Sequence, residues 1–313
     1  MQPPRNAPIL GHRSLRQSDG RRVVFSSRET VKRKRRISRA AAAPGALLRS
    51  IFSVFFPSDC RLCSTPLDNV SRIPVCGPCL AEIRPLRTPQ CLICGDRLAS
   101  AQLLRGDGLC INCHESRPDF ERAVSFGEYR DGLRGLIHLL KYEAVTPVRA
   151  PLGEMLANVI SEVLPSCSDA KPMLIPVPLQ RSRSRARGFN QAELIARSAT
   201  RHLPELEYAP QLLLRRRETI SQVGLSREER IENVRDAFSV SDPDRVHGRS
   251  VIVVDDVMTT GTTLSECARV LKQAGAQQVW AATVARAFHG ADFAPPAGSG
   301  EEEEIEAAVS ASV

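Results

Sequence analysis

No apolar run in the 313 residues approaches the roughly 18 that a membrane span requires, so no spanning helix is expected. A secretory signal is missing too, because Arg21 and Arg22 are not followed by an apolar core. With neither feature, the chain is expected in the cytoplasm. No GxxxxGK[ST] stretch occurs, which excludes a polyphosphate-cradling loop of that kind. Aromatic residues are few and Trp occurs once. That is ordinary for an α/β protein. Around the cysteines, however, Leu98, Leu103 and Ile111 stand with few aromatics, so the stacking platform of a strong single-strand nucleic-acid binder is lacking.

Charge is unevenly placed. The formal net charge is +8, yet residues 1–50 carry 13 Arg or Lys against 2 acids, or +11, so the remaining 263 residues sum to −3. The basic character therefore belongs to a leader rather than to a folded surface. Residues 1–45, including Lys32 to Arg36, lack hydrophobic periodicity and are expected to be a disordered basic leader. An Arg-rich transit peptide is the alternative reading of that leader. Residues 46–56 change character: Leu47, Leu48, Ile51, Phe52, Phe55 and Phe56 recur at helical spacing. Residues 290–313, rich in Pro, Gly and Glu, are expected to be a disordered acidic tail.

Eight of the ten cysteines form four C-x-x-C pairs: Cys60 and Cys63, Cys76 and Cys79, Cys91 and Cys94, Cys110 and Cys113. Each such turn aims two thiolates at one metal, and two turns complete a tetrahedral Cys₄ shell suited to Zn²⁺. Sequential pairing gives one site from Cys60, Cys63, Cys76 and Cys79 and a second from Cys91, Cys94, Cys110 and Cys113. A closed shell leaves no open coordination position, so both zinc ions are expected to be structural. An iron–sulfur cluster uses the same ligands and stays open at this point. Disulfides fit poorly without an export signal. A segment with so thin an apolar core depends on metal, which supplies roughly 10 to 16 kcal/mol per site. Helix and double ribbon together are assigned to residues 46–118. Cys167 and Cys267 stand alone and read as small core or surface residues.

From about Phe120 the pattern alternates between strand and helix, which indicates a parallel sheet with crossover helices. Residues 123–126, 173–178, 212–215, 237–240 and 278–285 read as strands, and 132–142 and 152–163 as helices. His138, among leucines, is expected in the core; Lys141 is expected to face water. Arginines 181, 183, 185 and 187 read as a polyanion-binding loop after a strand, with Asn190 as N-cap of the next helix. Ser226 and Glu229 have capping-box spacing.

The most informative stretch is Val251 to Thr263, VIVVDDVMTTGTT. Four β-branched residues suit a strand buried on both faces, and Asp255 and Asp256 follow at its C-terminal end. Such carboxylates can accept from a ribose diol or from waters on Mg²⁺. Gly261 permits a tight turn, and helix-opening amides with the hydroxyls of Thr259, Thr260, Thr262 and Thr263 can donate to one phosphate. The whole describes a phosphosugar site.

This string resembles the motif of type I phosphoribosyltransferases that binds phosphoribosyl pyrophosphate (PRPP). The resemblance implies that Asp255 and Asp256 hold the ribose hydroxyls and that Thr259 to Thr263 hold the 5-phosphate. At Thr259 the 6-oxopurine enzymes carry an aspartate, so its absence argues against purine salvage. The segments IPVP, RGFNQAE and VDDVMTTGTT behind a cysteine-rich module are similar, more narrowly, to the ComF family of competence-associated phosphoribosyltransferase-like proteins.

That resemblance implies a type I phosphoribosyltransferase fold over residues 119–289, a Rossmann-like parallel sheet with a lid. It implies Arg181 and Arg183 on pyrophosphate, with Arg181 catalytic beside Asp255 and Asp256, and a lid bearing Gln222, Arg227 and Arg230. The implied reaction is displacement of pyrophosphate from Mg²⁺·PRPP by a nitrogen nucleophile. The alternative is a non-catalytic PRPP sensor or adaptor. It would dock a DNA-translocating ATPase or helicase, a recombination mediator, or weakly single-stranded DNA, through the ribbon and leader.

Overall fold

The computed structural model describes residues 59–67, 72–168, 170–220 and 226–288, with the backbone alone at Ala101 and Arg227. The leader, the helix expected at 46–56, Gln222 and the acidic tail lie outside the described residues. In chain order the cysteine segment carries three short helices, α1 (Gly77–Glu82), α2 (Ser100–Arg105) and α3 (Ile111–Glu115). Then come β1 (Ala123–Glu128), α4 (Asp131–Lys141), α5 (Arg149–Val163), β2 (Met173–Pro176), α6 (Arg181–Arg187), α7 (Gln191–Ala199) and β3 (Glu207–Tyr208). The chain continues through β4 (Leu213–Arg215), α8 (Arg227–Val234), β5 (Phe238–Val240), α9 (Pro243–Val246), β6 (Ser250–Met258), α10 (Thr262–Gln273) and β7 (Gln278–Arg286). No described helix is long and apolar enough to cross a membrane.

Five strands form one parallel sheet in the order β1-β7-β6-β2-β3, and β4 with β5 forms a separate antiparallel pair. The period-2 alternation of a strand is visible in what each residue touches. Ile252 and Val254 pack with Leu174, Trp280 and Ala282 against α4, α5 and α7. Val251 and Val253 pack with Met173, Ile175 and Ala281 against α10 and the β4–β5 pair. All four β6 residues are buried. Each such side chain contributes roughly 1.5 to 3 kcal/mol relative to exposure, which is why the run tolerates no polar residue before Asp255.

The edge strand β1 does not present bare backbone to solvent. Ala123 N donates to Ile93 O at 2.7 Å, and Leu86 N donates to Phe126 O at 2.7 Å, so the cysteine segment supplies hydrogen bonds along the edge. It also packs sideways: Leu62, Ile73 and Ile83 join the core around α4 and α5, whereas Cys91, Cys94, Cys110 and Cys113 join the core around α10. The two cysteine clusters thus straddle β1.

Helices α5 and α7 meet at Gly153, where an added Cβ would lie 2.4 Å from Ser198 Cβ and 3.0 Å from Ala199 N. Gly153→Val is expected to force the helices apart and lower stability by ~1 to 3 kcal/mol. Urea unfolding of the two proteins checks this, and an unchanged midpoint would mean that the helices do not meet there.

Candidate functional site

β6 is longer than the sequence pattern suggests. It runs through both carboxylates to Met258, paired with β7 throughout, whereas its pairing with β2 stops at Pro176 opposite Val254. Asp255 and Asp256 therefore stand at the open C-terminal margin of the sheet, where parallel α/β folds bind ligands. In extended backbone they point to opposite faces. Asp256, 4% exposed, turns toward α4, where its Oδ2 lies 2.9 Å from Lys141 Nζ. Lys141 was expected in water; it is instead a cation of the site. Burial disfavours its charge, but Asp256 more than offsets this, with Tyr129 also acting to raise its pKa.

Asp255 turns toward β4 and α10. Its Oδ1 accepts from Asp256 N at 2.9 Å. Burial, and then the Asp256 charge, push its pKa up to about 7, while Lys141 and Arg215 act in the opposite sense. Arg215 closes β4 with its guanidinium 5.2 Å from the centre of the Phe238 ring and donating to Thr219 Oγ1. Burial lowers its pKa, and the neighbouring Arg183 charge adds to that. Sequence reading missed both cations. Lys141 ends an otherwise apolar helical stripe, and Arg215 is one of three consecutive arginines, of which only spatial placement singles one out.

After β6 the chain turns through Gly261, φ 80°, into α10. The left-handed conformation favours glycine, and a Cβ on Gly261 would also push on Met258 Cε, 2.5 Å away. The N-cap residue of α10 is Gly261, which has no side chain to cap the first turn, and amides opening a helix are a general site for an anion. The hydroxyls of Thr260 and Thr262 lie 2.7 Å apart. Thr259, Thr260, Thr262 and Thr263 are all partly exposed. A cavity of about 440 Å³ adjoins this turn, walled by Thr260, Thr262, α8 and residues 116–119. Asp119 binds Ser265 reciprocally: Asp119 N donates to Ser265 Oγ at 3.0 Å, and that hydroxyl donates to Asp119 Oδ2 at 2.9 Å.

The arginine-rich segment is a helix, α6, rather than a loop. Arg, Ser and Ala continue a helix without difficulty, and Gly188 in the left-handed region stops it. Helical spacing divides the arginines. Arg181 and Arg185 are exposed, whereas Arg183 and Arg187 are partly buried. The Arg187 guanidinium lies 5.2 Å from the Tyr142 ring centre, and Arg183 acts on Arg215. Thus Arg183 faces the carboxylate margin and Arg181 faces solvent. Asn190 caps α7 through Ala192 N at 3.0 Å. Ser226 and Glu229 form the expected capping box of α8, the helix that carries Arg230. His138 is not a core residue: it is about one-third exposed and lies 4.0 Å from Glu143, with its ring centre 4.6 Å from that of Tyr142 and tilted by 45° to it.

The eight cysteine sulfurs gather into two groups, Cys60, Cys63, Cys76 and Cys79, and Cys91, Cys94, Cys110 and Cys113, with all ligand atoms of a group within 4.8 Å of one another. Sulfur separations of 3.9 Å for Cys60 and Cys79, 3.7 Å for Cys63 and Cys76 and 3.5 Å for Cys94 and Cys110 are too long for disulfides. They match the ~3.8 Å edge of a tetrahedron built on ~2.3 Å zinc–sulfur bonds. A multi-iron cluster would have to fit between its thiolates and would spread them further. Both groups could hold zinc. Cys267 lies wholly in the core, and Cys167 is partly buried.

This sheet, with its carboxylate margin and the turn into α10, defines a protein of the phosphoribosyltransferase fold, and the family model described as phosphoribosyl transferase domain matches residues 153–305. The chain is 33% identical over 227 residues to the DNA utilization protein YhgH of Salmonella typhimurium, covering 72% of this chain and 96% of that one. To the Competence protein F of Haemophilus influenzae it is 30% identical over 236 residues, 74% and 99% of the two chains. A solved glutamine PRPP amidotransferase from B. subtilis, complexed with ADP and GMP, aligns at 23% identity over 44% of this chain and 26% of its own, with a TM-score of 0.29. The chain belongs to the ComF family.

The position of Asp255 has a pH signature. Its folded pKa, about 7, exceeds the ordinary carboxylate value, so between the two the native state binds more protons and stability falls as pH rises. The melting temperature of the wild type should therefore drop, relative to Asp255→Asn, between ~pH 5 and ~pH 7.5. Parallel melting curves for the two proteins would mean that Asp255 is ionised throughout.

Proposed function

We propose that this chain binds PRPP with Mg²⁺ at the end of β6 and catalyses displacement of its pyrophosphate by a nitrogen nucleophile. The observation that carries this reading is the joint placement of Asp255 and Asp256 beyond the last β2 pairing with the glycine-led N-terminus of α10, which starts six residues after Asp256. A 5-phosphate at Thr259, Thr260, Gly261, Thr262 and Thr263 sets the ribose diol against the carboxylates. Bound Mg²⁺ would supply positive charge to the departing pyrophosphate oxygens. The carboxylates at the β6 margin suit a hydrated hard cation.

In the reaction the C1–O bond breaks, the electron pair leaves with pyrophosphate, and the acceptor nitrogen forms the new bond to C1 and releases its proton. Arg183 and Arg215 would stabilise the leaving group, with Arg181 reaching it from the exposed face of α6. Lys141, 2.9 Å from Asp256 Oδ2, would hold that carboxylate in its orientation. The segment carrying Gln222, Arg227 and Arg230 would close over the ligand and exclude water from C1.

The two cysteine groups are read as structural zinc sites, because each closed four-sulfur shell leaves no position for substrate. The names of the relatives, competence and DNA utilization, support service in DNA uptake or handling. The adaptor alternative, with docking to an ATPase or to single-stranded DNA, rests on the leader and on family resemblance, and no described residue favours it.

Titration calorimetry of the zinc-loaded protein with PRPP and Mg²⁺ is expected to give saturable binding that the Asp255→Asn/Asp256→Asn variant loses. No heat of binding from a folded wild type would refute the enzyme reading. Elemental analysis should find two zinc ions per chain, one for each cysteine group. Chelation should lower the melting temperature by well over ~5 °C, since each site is worth several kcal/mol or more. Full stability without zinc would refute the structural role.

A further inference from the structure

β7 ends in Arg286, a cation that neither the substrate chemistry nor the cysteine shells require. It is 3% exposed. Its Nη1 donates to the carbonyl of Thr259, the first residue of the phosphate turn. Its Nη2 lies 3.9 Å from Asp96 Oδ2, and its Nε is buried with no acceptor among the described residues. A buried guanidinium with one donor unmet is costly unless its charge is matched. Asp96 is the carboxylate that matches it.

Asp96 in turn belongs to the second cysteine group. It directly follows Cys94 and Gly95, and its carbonyl accepts from Cys91 N at 2.7 Å. Its placement is therefore fixed by the fold of that knuckle. The knuckle is also bonded to the sheet through Ile93 O and Ala123 N, 2.7 Å apart, so it cannot move without moving the start of β1. We propose that Arg286 is a positioning residue that ties the phosphate turn to the second cysteine group. Metal loading at Cys91, Cys94, Cys110 and Cys113 then holds Thr259 to Thr263 in their anion-binding shape.

The proposal rests on the phosphate-turn reading above, so its test has an arm that needs no PRPP. Hydrogen–deuterium exchange of the 259–263 amides is measured in the full-length protein, zinc-loaded and after mild chelation. The proteins are wild type, Arg286→Met, Arg286→Lys and Asp96→Asn, with Arg97→Gln as control. Arg97 neighbours Asp96 but binds Glu128 and stacks on Phe288. Arg286→Met should exchange about tenfold faster in the turn while retaining its zinc, as loss of a charge-assisted bond to a carbonyl implies. Arg286→Lys and Asp96→Asn should show smaller effects in the same direction, and Arg97→Gln none.

The decisive comparison is non-additivity. Chelation should speed exchange in the wild type but add little in Arg286→Met. Equal acceleration by chelation in both proteins would overturn the proposal, as would wild-type exchange in Arg286→Met. Should Arg286→Met fail to fold, Asp96→Asn decides by the same comparison. In the second arm PRPP affinity should fall about tenfold in Arg286→Met, in step with the loosened turn. Absence of PRPP binding in the wild type would refute the functional reading, while the exchange arm still decides the tie.

Discussion

The site depends on one mismatch in length: β6 outruns β2 by the four residues from Asp255 to Met258. Up to Val254 the strand is flanked by two neighbours and covered on both faces, and only apolar side chains fit. Beyond it one neighbour is gone, and backbone and side chains can meet a ligand. Because the strand stays extended, the two acids diverge, one toward each covering layer. Each layer answers with a cation, Lys141 from α4 for Asp256 and Arg215 from β4 for Asp255. Asp256 has direct contact with its lysine at 2.9 Å, whereas burial, and then the Asp256 charge, raise the pKa of Asp255 against the opposing pull of Lys141 and Arg215.

The cysteine segment is part of the same construction rather than an appendage. An exposed parallel edge strand would offer unpaired backbone groups to any passing chain. Here β1 is bonded by residues 86 and 93, and the cysteine groups contribute to the cores on either side of the sheet. Metal held by the gathered sulfurs of each group would give a small segment the rigidity that its thin apolar content could not. A rigid edge then fixes β1, and through the β1–β7 and β7–β6 pairings the register of the strand that carries the site.

Sequence carried much of this because the relevant signals were local. The strand–turn–helix of residues 251 to 273, the four C-x-x-C pairs, the capping box at Ser226 and Glu229 and the alternation of strands and helices each depend on neighbours in the chain, where periodicity and spacing are informative. What was hidden was set by tertiary placement. The polar side chain of Lys141 reads as solvated until Asp256 is brought beneath it. His138, ringed by leucines in sequence, lies on the flank of α4 because the helix buries Leu136, Ile137, Leu139 and Leu140 instead. The arginines from 181 to 187 look alike in the sequence, and only the helix separates the exposed pair from the inward pair.

The division of charge also fits the proposed phosphate turn, which lacks lysine. Arg215, Lys141, Arg183 and the buried Arg286 already place positive charge around β6, and a further cation at the turn would repel them in a poorly solvated setting. Neutral donors avoid that conflict. Amides at a helix N-terminus and threonine hydroxyls would meet the proposed phosphate with partial charges oriented before it arrives. The hydroxyls of Thr260 and Thr262, 2.7 Å apart, satisfy one another until a stronger acceptor replaces that contact. A turn that must stay open yet ordered without its ligand needs external support, and the buried contact from Arg286 to the Thr259 carbonyl supplies it from the neighbouring strand.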